Sequence, residues 1–132
     1  MSNKVMIIGT GNVGASIGFS LVSSHNAINE LVLIDQDQAD AEGEAMDLRD
    51  TLAVSPNFIK IHAGTYEKDS KDTDLVIITA GAAQKKGGET RTELLARNAK
   101  IVKEIVDNLV KNGFQGIFLM VTNPVDVLSY LV

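Results

Sequence analysis

The chain has 132 residues, a formal net charge of −5 at pH 7, two histidines and no cysteine, and this length is typical of one domain that buries about two thirds of its unfolded surface. The acidic balance argues against nucleic acid as a partner, and no apolar run reaches the ~18 residues that would cross a membrane. Without cysteine there is no disulfide framework, which suits a cytoplasmic protein, and with so few histidines we expect no metal site.

The first predicted strand, residues 4–8, leads directly into the glycine-rich turn G-T-G-N-V-G at 9–14 and a predicted helix over 12–24. A second apolar strand, predicted over 30–34, ends at the acidic Asp35. A glycine-rich turn between strand and helix, followed by an acidic residue at the end of the next strand, is typical of a dinucleotide-binding βαβ unit. The alternatives are a glycine turn without a ligand and a site for S-adenosylmethionine.

Each residue of the turn has a mechanical role in this prediction. Gly9 allows the sharp turn, Gly11 lets a pyrophosphate approach the backbone, and Gly14 brings the helix close to the sheet. The amides of Asn12 and Val13 are expected at a helix N-terminus, where unpaired N–H groups and the helix dipole favour an anion.

Asp35 is predicted to select the cofactor. Its carboxylate can accept hydrogen bonds from both hydroxyls of an adenosine ribose, and each such bond contributes about 1.5–3 kcal/mol. The same charge would repel a ribose 2′-phosphate by about 4 kcal/mol per charge pair at roughly 4 Å and an effective dielectric near ~20. The sequence therefore predicts NAD as the cofactor, in preference to NADP.

The rest of the chain continues the alternation of strands and helices. Further strands are predicted at 58–63, 74–79 and 116–121, and further helices at 38–52, 90–112 and 124–131. Stretches such as 75–78 and 117–121 are continuous apolar runs, a pattern typical of a parallel sheet that helices cover on both faces. Right-handed crossovers then give a doubly wound, Rossmann-type α/β sheet with strand order 3-2-1-4-5. Thr90 and Glu93 form a T-x-x-E capping box at the start of the helix predicted over 90–112, and Gly113 ends it.

A second informative stretch follows the fourth strand. Ligands of an open α/β sheet bind beyond the carboxyl ends of the strands, near the point where the strand order reverses. The loop that begins with Ala80 and Gly81 starts at this point, is rich in glycine and lysine, and leads to Arg91 in the first turn of a helix. This arrangement predicts an active-site lid, with a mobile surface loop of solvated cations as the alternative.

Together with Thr-Asn-Pro-Val-Asp at 122–126, these motifs resemble those of the L-lactate/malate dehydrogenase family, closest to its lactate-specific members. The resemblance implies a hydride transfer between NADH and a small 2-oxo or 2-hydroxy acid. Pyruvate and L-lactate are the expected pair, and malate or a branched 2-hydroxy acid is the alternative within the class. The family also implies a homo-oligomer. A stand-alone NAD-binding module without catalysis is the alternative from another class.

The resemblance assigns roles to three residues near the substrate. Gln84 matches the position that faces the far end of the substrate, where the family has glutamine for lactate and arginine for the second carboxylate of malate. Arg91 matches the catalytic arginine that binds substrate and polarises its carbonyl. Asn123 matches the asparagine that hydrogen-bonds substrate beside the nicotinamide, whereas Ala80 and Gly81 are expected along the cofactor.

The family's catalytic histidine, its aspartate partner and the arginine that binds the substrate carboxylate belong to a second half that this chain lacks. Residues 1–132 are therefore expected to be a dinucleotide-binding domain from which the substrate domain is absent. His25 and His62 lie on predicted elements away from the crevice and cannot replace the missing histidine. We expect this chain alone to bind the cofactor and to be inactive.

Overall fold

The computed structural model describes residues 3–24, 26–55, 58–81, 87–122 and 128. Its strands are β1 (Lys4–Ile8), β2 (Glu30–Ile34), β3 (Lys60–Ala63), β4 (Leu75–Ile78) and β5 (Ile117–Met120). Its helices are α1 (Asn12–Ser23), α2 (Gln38–Thr51), α3 (Tyr66–Asp69) and α4 (Arg91–Lys111), and a 3-10 turn, Leu52–Val54, follows α2. In this part of the chain, no helix is both long enough and apolar enough to span a bilayer.

The strands are parallel and lie in the order β3-β2-β1-β4-β5, which confirms the predicted doubly wound α/β sheet. The central strand β1 is buried along its whole length, because helices cover both faces of the sheet. Side chains of a strand alternate between the two faces. Ile7 and Leu33 pack in the cluster that includes α1 and α2, whereas Met6 and Val32 pack in the cluster that includes α4. The order reverses between β1 and β4, so their carboxyl ends form the edge where a ligand is expected.

The ends of α4 agree with the predicted caps. The Thr90 side chain accepts a hydrogen bond from the Glu93 amide at 3.1 Å, and the Glu93 side chain accepts one from the Thr90 amide at 3.4 Å. After the helix, Gly113 has a φ of +89°, a left-handed conformation that favours glycine. The next amide, that of Phe114, donates to the carbonyl of Leu109 at 3.0 Å. The two caps fix where α4 begins, after the carboxyl end of β4, and where it ends, before the amino end of β5.

The observed elements differ from the predicted ones at two places. The short helix α3 was not predicted, because four residues carry no helical periodicity; it forms where the Thr65 side chain accepts from the Lys68 amide at 3.2 Å. The third strand begins at Lys60, two residues after the predicted start at 58. The helix predicted over 124–131 lies outside the described residues except for Leu128, which is helical and fully buried.

A charged cluster closes the opposite, amino end of β1. The buried ammonium of Lys4 bonds the carboxylates of Asp69 at 3.0 Å and Asp72 at 2.7 Å, and lies 3.8 Å from that of Glu30. Burial alone would lower the pKa of Lys4, but the bonds to Asp72 and Asp69 outweigh burial and raise the pKa above its ordinary value. The cluster holds α3 and the start of β4 against the central strand.

Candidate functional site

A crevice opens at the carboxyl edge of the sheet, where the strand order reverses. Its volume is about 560 Å³, within the range of cavities that hold small molecules. The turn after β1 and the segment after β4 form one side of the crevice, through Gly9, Gly11, Thr79, Ala80 and Gly81. The end of β2, helix α3 and one face of α4 form the other side, through Ile34, Asp35, Gln36, Tyr66, Ile101, Glu104, Ile105 and Asn108.

The glycines of the turn meet very different surroundings. Gly9 has a φ of +103°, and a Cβ there would lie 2.6 Å from the amide nitrogen of Ala80. A Cβ on Gly14 would lie 1.9 Å from the carbonyl oxygen of Gly9. A Cβ on Gly11 would meet no atom within 4 Å, and Gly11 lines the crevice. Packing within the chain therefore explains the absence of a side chain at Gly9 and Gly14 but not at Gly11.

The carboxylate of Asp35 is held in place by the glycine-rich turn. Its Oδ2 atom accepts from the amide of Thr10 at 2.7 Å and from the Thr10 hydroxyl at 2.8 Å. Its Oδ1 atom accepts from the amide of Asp37 at 2.9 Å. Burial alone would raise the pKa of Asp35, but these hydrogen bonds outweigh it and lower the pKa below its ordinary value. A fixed, ionised carboxylate therefore stands at the rim of the crevice.

Two threonines join the strand ends of the side formed by the turn after β1 and the segment after β4. The Thr79 hydroxyl donates to the carbonyl of Gly9 at 2.8 Å, and the Thr122 hydroxyl donates to the carbonyl of Ala80 at 2.6 Å. A Cβ on Gly81 would lie 2.6 Å from the Thr122 side chain. These contacts place Ala80 and Gly81 in the wall of the crevice; that they bind a cofactor stays a prediction.

Helix α4 contributes residues that sequence reasoning missed. Ile101, Glu104, Ile105 and Asn108 recur at helical spacing and so share one face. In the sequence the isoleucines are typical of the apolar face of an amphipathic helix, and no motif marks the polar positions between them. Tyr66, from the unpredicted α3, faces the same space; burial, aided by the negative charges of Glu104 and Asp35, raises the pKa of its hydroxyl to about 12. The hydroxyl is therefore a hydrogen-bond donor at neutral pH.

Arg91 lies outside the described lining of this crevice. It is the first residue of α4 and is exposed. The preceding Glu89 is fixed to α4 by a two-pronged ion pair, in which Nε and Nη2 of Arg97 each donate to one carboxylate oxygen at 2.7 Å. The first turn of α4, which begins at Arg91, is therefore held by this ion pair and by the capping box of Thr90 and Glu93. Gln84 lies outside the described residues.

Two further predicted residues, Asn12 and Val13, do not line the described crevice with their side chains. Asn12 and Val13 begin α1, as predicted, but their side chains line a shallow groove on the outer side of that helix, next to Ser16. In the described structure, Asn12 and Val13 can therefore hydrogen-bond a ligand in the crevice only through their backbone amides. Asn123 lies outside the described residues.

The histidines are not part of the described crevice. His62 lies on β3, and its Nε2 atom is 2.6 Å from a carboxylate oxygen of Glu30; His25 lies outside the described residues. Ligand atoms of Glu30, His62 and Asp69 lie within 4.8 Å of one another, an arrangement that could suit a metal ion. The Lys4 ammonium already bonds the Asp69 carboxylate of this group at 3.0 Å, so the charge that a metal ion would pair with is paired with Lys4.

Comparison with known families matches residues 3–132 to the NAD-binding domain of lactate/malate dehydrogenase. L-lactate dehydrogenase 2 of Bacillus cereus is 50% identical over 129 residues, which cover 98% of this chain and 40% of that protein. L-lactate dehydrogenase of Macrococcus caseolyticus is 48% identical over 130 residues, again covering 98% and 40%. The chain thus spans 40% of the length of these curated relatives.

Solved structures agree with this comparison. The minor L-lactate dehydrogenase of Enterococcus mundtii, in its ligand-bound form, superposes with a TM-score of 0.93 at 48% identity, over 98% of this chain and 40% of that one. Malate dehydrogenase of Archaeoglobus fulgidus in complex with NADH has a TM-score of 0.88 at 35% identity, over 97% and 43%. Both likenesses extend along nearly all of the present chain.

Proposed function

Since this chain belongs to the lactate/malate dehydrogenase family and is its NAD-binding domain, we propose that the protein transfers hydride between NADH and a small 2-oxo acid, with pyruvate and L-lactate as the reacting pair. The observation that carries the proposal is the crevice itself. It combines an open approach at Gly11 with a fixed, ionised carboxylate at Asp35. A pyrophosphate and a ribose diol need these two features at neighbouring positions.

Within this proposal the cofactor follows the carboxyl edge of the sheet. Asp35 accepts hydrogen bonds from the adenosine ribose, and the pyrophosphate lies over Gly11 and the amides of Asn12 and Val13. Those amides belong to the first turn of α1, where N–H groups lack helical partners and the helix dipole favours an anion. Gly9 and Gly14 bring the backbone to this position.

The nicotinamide half is assigned to the opposite side of the same edge. Ala80 and Gly81 form the wall along which it extends, and Asn123 hydrogen-bonds substrate beside the nicotinamide ring. This assignment is supported by the position of Ala80 and Gly81 after β4, across the reversal of strand order from Asp35.

The chemistry proposed for the substrate end depends on Arg91. NADH supplies a hydride to the carbonyl carbon of pyruvate, and the carbonyl oxygen gains the electron pair and then a proton. The guanidinium of Arg91 stabilises the negative charge that develops on that oxygen. The proton requires a general acid, which the proposal assigns to the portion of the relatives that this chain does not span.

Gln84 is proposed to select pyruvate over oxaloacetate. A neutral amide leaves the second carboxylate of oxaloacetate without a cationic partner, whereas an arginine would bind it in a bidentate manner. The proposal is favoured by about 50% identity to L-lactate dehydrogenases against 35% to the malate dehydrogenase.

Two experiments test these steps separately. Calorimetry of the isolated chain should show saturable NADH binding with NADPH at least about tenfold weaker; equal affinities would refute the selection by Asp35. For the reaction, residues 1–132 should be grafted onto the remainder of the Bacillus cereus enzyme. The graft should reduce pyruvate faster than oxaloacetate, and its Gln84→Arg variant should reverse that order. A graft that binds NADH but reduces neither acid would favour a binding module without catalysis.

A further inference from the structure

The far end of the crevice, beyond Asp35, has both apolar and polar walls. Ile34, Ile101 and Ile105 provide apolar surface on either side of it. This is the part of the crevice that a flat aromatic base would enter if the ribose lies at Asp35. The polar groups at this end decide which base edge is favoured.

Besides Gln36, which also lines this side of the crevice, those polar groups are one donor and two acceptors. The Tyr66 hydroxyl is protonated at neutral pH, since its pKa is raised to about 12. The side-chain amide of Asn108 donates to the carbonyl of Glu104 at 2.9 Å, which leaves its Oδ1 oxygen as an acceptor. The carboxylate of Glu104 has no hydrogen-bond partner among the described residues, and it lines the crevice one helical turn before Asn108.

We propose that Glu104 accepts a hydrogen bond from the exocyclic amino group of the cofactor's adenine, so that the site prefers a 6-aminopurine to a 6-oxopurine. This inference rests on the proposed placement of the ribose at Asp35. An amino group has hydrogens to donate to the carboxylate, whereas a 6-oxo group presents lone pairs to a negative charge. Asn108 Oδ1 adds a second acceptor on the same helix face.

The expected preference is moderate, because Glu104 is solvent-exposed and water competes for both partners. A hydrogen bond to a charged group in such surroundings corresponds to about a three- to tenfold difference in affinity. The apolar walls and the ribose contacts treat both bases alike, so they contribute to affinity without contributing to this preference.

The test compares NADH with reduced nicotinamide hypoxanthine dinucleotide, whose base carries oxygen in place of the amino group. Both are titrated into the whole chain by calorimetry, and into Glu104→Gln, whose amide can donate as well as accept. The wild-type chain should bind NADH about three- to tenfold more tightly, and in Glu104→Gln the preference should fall below about twofold. Glu42→Gln, on the exposed side of α2, is the matched control and should retain the wild-type preference.

Each outcome has a separate meaning. If the wild-type chain binds both dinucleotides equally, or if Glu104→Gln retains the full preference, Glu104 does not select the base. If the chain binds neither dinucleotide while circular dichroism shows it folded, the cofactor assignment of the crevice fails, and this inference fails with it. Tight and equal binding of both dinucleotides therefore refutes the role of Glu104 and leaves the cofactor assignment of the crevice intact.

Discussion

Alanine substitutions at two glycines of the same turn should separate cofactor binding from folding. At Gly11 the added Cβ meets nothing within 4 Å, whereas at Gly14 it would lie 1.9 Å from the carbonyl oxygen of Gly9 and 2.8 Å from the Thr79 hydroxyl. The backbone and strand ends that surround Gly14 cannot retreat as a flexible side chain would. The same chemical change therefore acts on the ligand at one position and on the fold at the other.

The expected magnitudes follow from these distances. Overpacking at Gly14 should destabilise the fold by roughly 1–3 kcal/mol or more, which lowers the Tm of a domain of this size by about 3–10 °C. At Gly11, loss of a favourable helix N-cap is offset by the reduced freedom of the unfolded chain, so the Tm should change by less than about 2 °C. The Gly11→Ala methyl group would instead occupy the proposed pyrophosphate position and weaken NADH binding by at least about tenfold.

The assay combines thermal melts by circular dichroism with calorimetric NADH titration at a temperature where every variant is folded. Gly43→Ala is the matched control, because Gly43 lies within α2 and also has open space around it. It should raise stability by up to about 1 kcal/mol through helix propensity and leave NADH affinity unchanged. Wild-type affinity in Gly11→Ala would refute the placement of the pyrophosphate, and a wild-type Tm in Gly14→Ala would refute the steric argument.

Three further predictions concern charged groups. Asp35→Asn should weaken NADH binding by about tenfold or more but leave NADPH binding unchanged or improved, and parallel loss of both would contradict its selective role. The bonded Lys4 ammonium lowers the pKa of Asp72 in the folded chain. The stabilisation of the fold by this pair is therefore present above the ordinary pKa of 3.8 and is lost as pH falls through the lower folded value, so Tm should fall between pH ~5 and ~2. Lys4→Met should flatten this pH dependence and lower the free energy of unfolding at neutral pH by roughly 3–5 kcal/mol. Arg97→Gln should speed amide exchange at Glu89 and the first turn of α4 without changing exchange at its last turn, and uniform protection along the helix would refute the anchoring role.

The sheet and the glycine-rich turn were predictable because their signals are local. Most of the strands consist largely of consecutive apolar residues, and the chirality of crossovers leaves few orders for such strands. The cap of α4 was equally visible, since Thr90 and Glu93 satisfy each other's backbone within three residues. Such features need no knowledge of what lies across the sheet.

The far side of the crevice could not be predicted, because it depends on contacts between distant segments. Tyr66 reaches it from α3, a four-residue helix that forms through side-chain bonds to Thr65 and Asp69. Glu104 and Asn108 look like ordinary solvent-facing positions of an amphipathic helix. Only the crossing of α4 over the sheet brings them beside Ile34.

The hydrogen bonds between Thr10 and Asp35 fix the position of the Asp35 carboxylate relative to the glycine-rich turn. Because the turn donates its amide and hydroxyl to this carboxylate, the position of the charge is fixed before any ligand arrives. Fixing a recognition group in advance reduces the free energy that binding must use to order it. In the proposed binding mode the arrangement also links the ribose position to the pyrophosphate position through Thr10, so a change in the turn should be transmitted to Asp35. Substitutions at Gly11 and at Asp35 should therefore not act additively on NADH binding, since neighbouring sites that share a partner are coupled.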